Sequence, residues 1–211
     1  MQVAYLTSAY LAPVQYYQHM VSIPKIIIEH HDNYVKQTYR NRCYIAGAEG
    51  IQSLTIPIVK PQTSKANIRD IEISNHGNWQ HLHWNAIQSA YSNTAYFEFY
   101  KDYFIPFYEN NERFLFDFNI KLQEIITDLL DLDIEYMLTD RYKEDFDTNE
   151  IDLREIIHPK KDYKLYDKQF VSKPYYQVFD DRHGFIANLS ILDLLFNKGP
   201  ESIFYLDRTY L

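Results

Sequence analysis

Two arginines separated by one residue, Arg40 and Arg42, are the side chains in this sequence best suited to bind an anion. On a β-strand, residues two apart point to the same face, so the guanidinium groups would share a face and Asn41 would point to the other. Neighbouring guanidinium groups repel each other unless an anion lies between them, and arginine binds phosphate or carboxylate through two parallel hydrogen bonds. The alternative is internal ion pairing with acidic residues of neighbouring predicted elements: Glu49, Asp70 and Glu72. Arg40, Asn41 and Arg42 are predicted to contact a phosphate- or carboxylate-bearing ligand.

Two histidines, His83 and His183, are candidates for acid–base catalysis because an imidazole titrates near neutral pH. His83 falls in a predicted helix, where a hydrogen-bonded structural histidine is the alternative interpretation. His183 and Asn188 precede the last predicted helix, and no local folding signal accounts for them. The pairs 30–31 and 81/83 lack the four-residue spacing that lets two histidine rings on a helix reach one metal ion. The sequence therefore predicts no metal site, and it indicates no particular cofactor.

Aromatic side chains provide candidate contacts for a sugar, since the chain contains 20 Tyr and 13 Phe. A tyrosine ring offers an apolar face and a polar tip, which suits sugar stacking, although a bias in codon usage would explain the same composition. Gln15 and Tyr16 follow the first predicted strand, where open α/β sheets bind their ligands. A turn of tyrosines packed onto the core is the alternative for this loop. Gln15, Tyr16 and Trp79 are predicted to contact the ligand, the two aromatic residues as platforms for a sugar.

Cys43 and Ser190 are the residues that a search for a nucleophile would select, but local structure accounts for both. The charge of Arg42 would lower the pKa of the neighbouring thiol, yet on an alternating strand Cys43 faces away from Arg42 and towards the core. Ser190 and Asp193 fit a capping box, in which the serine caps a helix and the acidic residue returns a hydrogen bond. A buried, unreactive thiol and a helix cap are therefore predicted.

An α/β fold is predicted to position these residues. The first third of the chain is predicted to supply a mixed β-sheet packed by helices, with strands over residues 3–9, 25–29, 39–45, 51–59 and 68–73. Gly47 and Gly50 bound the turn of a hairpin between the third and fourth of these strands. The central and C-terminal parts are predicted to be helical. Because no linker or repeat divides the chain, residues 1–211 are predicted to form a single domain.

Three helices are indicated by periodicity and by their terminal residues. The first covers residues 79–91 with Asn78 as its N-cap, and the last begins after Ser190 and ends at Gly199. The helix over 112–131 carries an apolar stripe that recurs every three or four residues: Leu115, Phe118, Leu122, Ile125 and Leu129. Residues 140–168 are rich in charge and are predicted to be a mobile or surface-packed stretch with one helical turn near 151–157.

The composition argues against several classes of partner. The net charge of −8 disfavours a nucleic-acid partner, because affinity for phosphate backbones comes from dense Lys and Arg. No apolar run reaches the ~18 residues that a membrane span requires, so no membrane insertion is predicted. The N-terminus lacks the basic and apolar regions of a secretory signal, which predicts a cytoplasmic location. A homo-oligomer is compatible with the sequence.

Three stretches of the chain, in this order and spacing, resemble the WbqC-like family. The first is Tyr10-Leu-Ala-Pro-Val-Gln-Tyr-Tyr17. The second comprises Tyr39-Arg-Asn-Arg42, then Gly50-Ile-Gln-Ser-Leu-Thr-Ile-Pro57 and the helix over 79–91. The third runs from Tyr176-Gln-Val-Phe179 through His183-Gly-Phe-Ile-Ala-Asn-Leu-Ser190 to Gly199. Together they cover roughly two-thirds of the chain.

The resemblance implies a bacterial, cytoplasmic role in the biosynthesis of surface-polysaccharide (O-antigen) precursors. It implies a transferase-type enzyme acting on a small-molecule activated sugar or acyl donor, but it supplies no established reaction or catalytic residues. A non-catalytic binding or scaffold protein in the same pathway is the alternative. The chain departs from longer members, which carry a Tyr-Leu-Ser-Gly-like segment where this sequence has the charged stretch that begins at Asp140.

Overall fold

A four-stranded parallel sheet forms the centre of the fold in a computed structural model, which describes residues 1–210. Its strands cover Val3–Thr7 (β1), Lys25–Glu29 (β2), Tyr136–Leu138 (β5) and Glu150–Asp152 (β6). They lie in the order β5-β2-β1-β6. A separate antiparallel hairpin is formed by Arg42–Gly47 (β3) and Gly50–Thr55 (β4). The predicted α/β class is confirmed.

The two longest strands of the parallel sheet show why this sheet forms. β1 and β2 pair in register from Val3 with Lys25 to Thr7 with Glu29. Their alternate residues belong to the hydrophobic core: Ala4, Leu6, Ile26 and Ile28. The helix that connects the two strands, Val14–Ser22 (α1), is buried from Val14 to Met20. A helical crossover of this kind is the usual connection between adjacent parallel strands.

The hairpin begins later than the sequence predicts. β3 starts at Arg42, so Arg40 and Asn41 lie in the turn that precedes it. Within β3 the alternation is regular: Cys43 and Ile45 are buried, whereas Arg42 and Tyr44 are half-buried. The thiol of Cys43 is fully buried as predicted, and burial raises its pKa. The alternation argument therefore applies to Arg42 but not to Arg40.

Three long helices cover the middle of the chain: Trp79–Tyr91 (α2), Phe97–Glu109 (α3) and Leu115–Leu129 (α4). The prediction of α2 is confirmed, but Asn78 has left-handed backbone geometry and its side chain makes no capping hydrogen bond. The stripe of α4 is buried at Leu115, Phe118, Leu122 and Ile126, and Ile125 is half-buried, as a period of 3.6 requires. Sequence periodicity did not identify α3, which contains Pro106 and is aromatic on several sides.

The predicted strand over residues 68–73 is wrong, and the charged stretch after residue 140 contains a strand that the sequence did not predict. Residues 68–73 contain a 3-10 turn, Ile68–Asp70, followed by isolated bridges from Glu72 and Ile73 to other segments. In the charged stretch, β6 at Glu150–Asp152 pairs with β1. The predicted helical turn follows it, closed by a hydrogen bond from the Ile157 N–H to the Leu153 carbonyl oxygen at 3.1 Å. The 68–73 segment and β6 are held by partners distant in sequence, which local pattern does not reveal.

Short helices complete the C-terminal part. They cover Tyr163–Tyr166 (α5), Asp180–His183 (α6), Ile191–Lys198 (α7) and Ile203–Leu206 (α8). Ser190 caps α7 as predicted, because its side chain accepts a hydrogen bond from the Leu192 N–H. Its hydroxyl also donates to the carbonyl oxygen of Leu11 over 2.9 Å, which ties α7 to the loop after β1. No helix within residues 1–210 is long and apolar enough to cross a membrane.

The carboxylate of Asp193 does not complete the predicted capping box. It is buried in α7, where its Oδ2 accepts hydrogen bonds from the Tyr175 hydroxyl at 2.7 Å and from Gln177 Nε2 at 2.7 Å. Burial raises the pKa of Asp193 to about 6, although these hydrogen bonds act in the opposite direction. The hydrogen-bond partners of this buried carboxylate are thus distant in sequence. An i, i+3 capping motif does not predict them, because they are supplied by tertiary packing.

Asp193→Asn is expected to raise the free energy of unfolding by about 3 kcal/mol at pH 8 and to change it little at pH 4. The folded-state pKa of Asp193 lies above the ~4 of an unfolded aspartate, so its stabilisation is complete below pH ~4 and is lost as the pH rises through about 6. Urea unfolding of both proteins from pH 4 to pH 8 measures this difference. A variant that is less stable than the parent at pH 8 would contradict it.

Candidate functional site

A cleft of about 430 Å³, called the carboxyl-edge cleft, lies where the parallel strands end. β2 leads directly into His31 and Asp32, and β6 ends at Asp152, which is followed by Arg154 and Glu155. The chain order of the sheet reverses between β1 and β6, because β2 and β5 extend the sheet on one side of β1 and β6 lies on the other. Ligands of open α/β sheets bind outside the carboxyl ends of the strands at such a reversal.

A buried ionic network forms the floor of the cleft around Glu29 and Arg154. Glu29 is completely buried, and its Oε2 accepts a hydrogen bond from Arg154 Nη1 over 3.0 Å. Arg154 Nε and Nη2 donate to the two oxygens of Asp152 at 2.8 and 2.9 Å. The Thr139 hydroxyl donates to Glu29 Oε1 at 2.6 Å. These contacts join the ends of β2 and β6 and the residue that follows β5, so the cleft has a fixed base.

A second buried ion pair, between Arg40 and Asp32, forms one wall. Arg40 Nε and Nη2 donate to Asp32 Oδ2 at 3.2 and 2.5 Å, and Nη2 also lies 3.3 Å from Glu155 Oε1. Asp32 Oδ1 is buried and has no hydrogen-bond partner among the described residues. Burial raises the pKa of Asp32, whereas the charge and hydrogen bonds of Arg40 oppose that rise.

The tautomer of His31 follows from its hydrogen bond. His31 Nε2 lies 3.1 Å from the carbonyl oxygen of Thr139. A carbonyl oxygen only accepts, so Nε2 carries the proton, and in the neutral ring Nδ1 is left as an acceptor. Because His31 lines the cleft beside Asp32, the cleft contains a group that can take up a proton.

A second, basic groove of about 790 Å³ lies beside the cleft. Val35 lines both, and the groove also contains Tyr34, Lys36 and Lys60 but no acidic residue among those that line it. Burial raises the pKa of Tyr34, and the charges of Arg42 and Arg40 act against this rise. The groove is therefore positive and partly apolar, and the adjoining cleft is rich in carboxylates.

A model of the WbqC-like protein family matches residues 8–205, which is most of the chain and includes the carboxyl-edge cleft and the basic groove. The chain belongs to the WbqC-like protein family. One similar protein is the uncharacterized protein Rv1507c of Mycobacterium tuberculosis (strain ATCC 25618 / H37Rv), which is 26% identical over 225 residues and covers 97% of each chain. No solved structure matches the chain.

In this WbqC-like protein, the predicted arginine pair is divided between two environments. Arg40 is 3% exposed and forms the ion pair with Asp32, which agrees with the internal pairing considered as the alternative. Arg42 is half-buried and forms no ion pair within residues 1–210. Asn41 is buried, and its amide donates to the Ile56 carbonyl oxygen at 2.9 Å. Arg42 is thus the member of the pair whose charge is not neutralised by a neighbouring carboxylate.

Gln15 and Asn188 are brought together although 173 residues separate them. The Gln15 backbone N–H donates to Asn188 Oδ1 at 2.9 Å, and Asn188 Nδ2 donates to Gln15 Oε1 at 3.0 Å. Gln15 Nε2 also donates to Asp167 Oδ2 at 2.6 Å. Tyr16 is buried, with its hydroxyl within 2.9 Å of the Thr7 carbonyl oxygen. In this structure these groups hold the start of α1 in place, and none of them lines the carboxyl-edge cleft.

His83 and Trp79 lie in the aromatic core. His83 Nδ1 is 3.0 Å from the Tyr10 hydroxyl, which is in turn 2.8 Å from the Tyr108 hydroxyl. Trp79 is 5% exposed and packs edge-on against His83. Burial lowers the pKa of His83 to about 4, so its ring is neutral at pH 7. These positions place both side chains in core packing, and their predicted catalytic and sugar-binding roles stay predictions.

His183 lies at the surface beside the hairpin turn. Its Nε2 is 3.1 Å from the carbonyl oxygen of Ala48, so this nitrogen is the donor. The turn borders a further groove of about 640 Å³, to which Phe179 also contributes. His183 does not line the carboxyl-edge cleft, and its predicted acid–base role stays a prediction.

Several cleft residues were not among the predicted site residues. His31 and Asp32 had a usable signal, because two histidines and an aspartate directly follow a predicted buried strand. Asp152, Arg154 and Glu155 had none, since they lie in a charged stretch whose short strand is stabilised by pairing with β1. No group of three or more His, Cys, Asp or Glu side chains in the described part of the chain is arranged to hold a metal ion.

Proposed function

We propose that this WbqC-like protein is a transferase-type enzyme that binds an anionic activated precursor, an activated sugar or acyl donor. The pathway implied by the family resemblance is the biosynthesis of bacterial surface-polysaccharide (O-antigen) precursors. One observation carries the proposal: the carboxylate-rich carboxyl-edge cleft and the basic groove adjoin each other and share Val35. A transfer reaction needs adjacent places for a donor and an acceptor.

The basic groove is the proposed place for the anionic group. Lys36 and Lys60 supply two ammonium groups. Arg42 has no ion-pair partner among the described residues, and its charge acts to lower the pKa of Tyr34, which lines the groove. Phosphate and carboxylate are bound by such donors, and the ring of Tyr34 offers an apolar face to the rest of the ligand. The net charge of the protein does not oppose this, because a local patch determines the potential that the ligand meets.

The carboxyl-edge cleft is the proposed place for the chemistry. Because His31 Nε2 donates to the Thr139 carbonyl oxygen, Nδ1 is the acceptor in the neutral ring, and Asp32 lies next to His31 in the chain. An imidazole in this state can accept the proton of an attacking group. The paired arginines keep the surrounding carboxylates in defined positions, which favours a preorganised site.

The test of the proposed function is a thermal-shift screen with nucleotide sugars, acyl donors and simple anions. A donor is expected to raise the melting temperature, and Lys36→Ala and Lys60→Ala are each expected to weaken its binding about tenfold, the effect of losing one charge-assisted contact. Both lysines are exposed, so folding should be retained. Lys168→Ala, also exposed, is the matched control. If no anion binds, or if the control loses as much affinity as the groove variants, the proposal fails.

A non-catalytic binding or scaffold protein is the second candidate, and one surface favours it. The exposed side of α3 combines aromatic and acidic side chains: Glu98, Phe99, Asp102, Tyr103 and Glu109. Phe99 is 72% exposed and Tyr103 is 53% exposed, which is unusual for residues of this size. The same screen separates the candidates, because a scaffold would retain this face yet give no response to any donor.

A further inference from the structure

We propose that the carboxyl-edge cleft binds a protonated primary amine, held by Asp32 and His31. As a binding site, this assignment depends only on the cleft; as the place of the acceptor in a transfer reaction, it rests on the proposed function. An amino-bearing sugar or a similar small amine is the class of ligand that fits.

The charge balance of the cleft favours a cation. Three carboxylates line it, those of Asp32, Asp152 and Glu155, against the guanidinium groups of Arg40 and Arg154. A fourth carboxylate, that of Glu29, lies completely buried below them. The carboxylates therefore exceed the guanidinium groups by two. A ligand that brings positive charge is stabilised here, whereas an anion would meet a field of its own sign.

Neither arginine is free to bind an anion. Arg154 uses Nε, Nη1 and Nη2 for bonds to Asp152, Glu29 and the Lys143 carbonyl oxygen. Arg40 uses its three nitrogens for Asp32, Glu155 and the Thr38 hydroxyl. An anion would have to displace carboxylates that are already paired in a buried setting, which leaves uncompensated charges.

The cleft has spare acceptors instead of spare donors. Asp32 has a side chain that is 7% exposed, and its Oδ1 has no hydrogen-bond partner within residues 1–210. His31 Nδ1 makes no hydrogen bond in the described part of the chain, and Glu155, at the rim, is 53% exposed. A buried carboxylate oxygen without a donor is costly, and an ammonium group supplies three donors. An ammonium group that reaches Asp32 Oδ1 would supply the donor that this buried oxygen lacks.

The position of the cleft also favours an amine that acts as the acceptor in a transfer reaction. It lies where the order of the strands reverses, and a ligand held there is next to Val35 and hence to the basic groove. An amine that has lost its proton to a neighbouring base becomes a nucleophile. The proposed base is His31 Nδ1, because His31 immediately precedes Asp32 in the chain. The amine would then face the donor in the adjoining groove.

The experiment compares sugars that share a ring and differ in one substituent. Glucosamine and galactosamine are titrated into the protein at pH 7 and followed by calorimetry, with glucose and N-acetylglucosamine as neutral counterparts. At least one amino sugar is expected to bind saturably, about tenfold or more tightly than either neutral sugar, as one charge-assisted hydrogen bond implies. Equal binding of charged and neutral sugars overturns the proposal, as does absence of binding by both amines. A response to Mg²⁺ alone with none to the amines also overturns it.

Variants locate the site and separate it from the proposed function. Asp32→Asn is expected to weaken amine binding about tenfold, and Glu155→Gln, at an exposed position that does not threaten folding, about threefold. Glu72→Gln, which alters an acidic residue paired with exposed Arg113, is the matched control and should bind like the parent. Lys36→Ala and Lys60→Ala should leave amine binding unchanged. Amine binding without donor binding would sustain this inference while refuting the proposed function. Donor binding without amine binding would refute this inference while sustaining the proposed function.

Discussion

Gly199→Ala is expected to lower the free energy of unfolding by about 4 kcal/mol, the sum of backbone strain and overpacking. Gly199 ends α7 with φ of 52° and ψ of −126°, a conformation that residues with a side chain rarely adopt. A Cβ atom at this position would lie 2.5 Å from Cε1 of Tyr96, closer than two carbon atoms can approach. The Tyr96 ring is stacked on Tyr100, so it can move only by giving up that contact.

Gly77→Ala is the matched control for this prediction. Gly77 also has a positive φ, 79°, but an added Cβ would meet no atom within 4 Å. Its loss in stability should therefore reflect backbone strain alone, roughly 1–2 kcal/mol. Combining Gly199→Ala with Tyr96→Ala should recover the part caused by the clash. Equal losses for the two glycine variants in urea unfolding would show that Tyr96 does not restrict position 199.

Arg40→Ala is expected to destabilise the protein by about 4 kcal/mol at pH 7, because it leaves the carboxylate of Asp32 buried without its partner. Arg40 and Asp32 have side chains that are 3% and 7% exposed, and two N–H groups of the arginine bond to one oxygen of the aspartate. The loss should shrink at acid pH, where Asp32 becomes protonated in the variant. Urea unfolding at pH 4.5 and pH 7 measures both effects.

Two further variants test whether the charge of Asp32 is the cause. Arg40→Ala combined with Asp32→Asn should recover more than half of the loss, since no unpaired charge then remains buried. Arg113→Ala removes an arginine of an ion pair whose side chains are 70% and 40% exposed, and it should cost less than about 1 kcal/mol. If the double variant is no more stable than Arg40→Ala alone, packing of the arginine rather than charge explains the effect.

The amino-acid sequence by itself determined the elements whose signals are local. β2 and α2 lie over the predicted residues, and the buried stripe of α4 follows from the spacing of Leu115, Phe118 and Leu122. The N-cap at Ser190 was equally predictable from the sequence, because a helix terminus leaves backbone N–H groups that a nearby hydroxyl satisfies. In each of these cases, the residues that stabilise the element lie within a few positions of one another.

Only the tertiary structure decided the site. β5 and β6 have three residues each and carry no periodicity, yet pairing with β2 and β1 brings Arg154 to Glu29 across 125 positions of sequence. The same packing paired Arg40 with Asp32 and buried His83, although all three side chains are polar. Whether a charged residue faces solvent, a ligand or an opposite charge depends on partners supplied by distant segments. The sequence contains those partners, but their distances exist only in the folded chain.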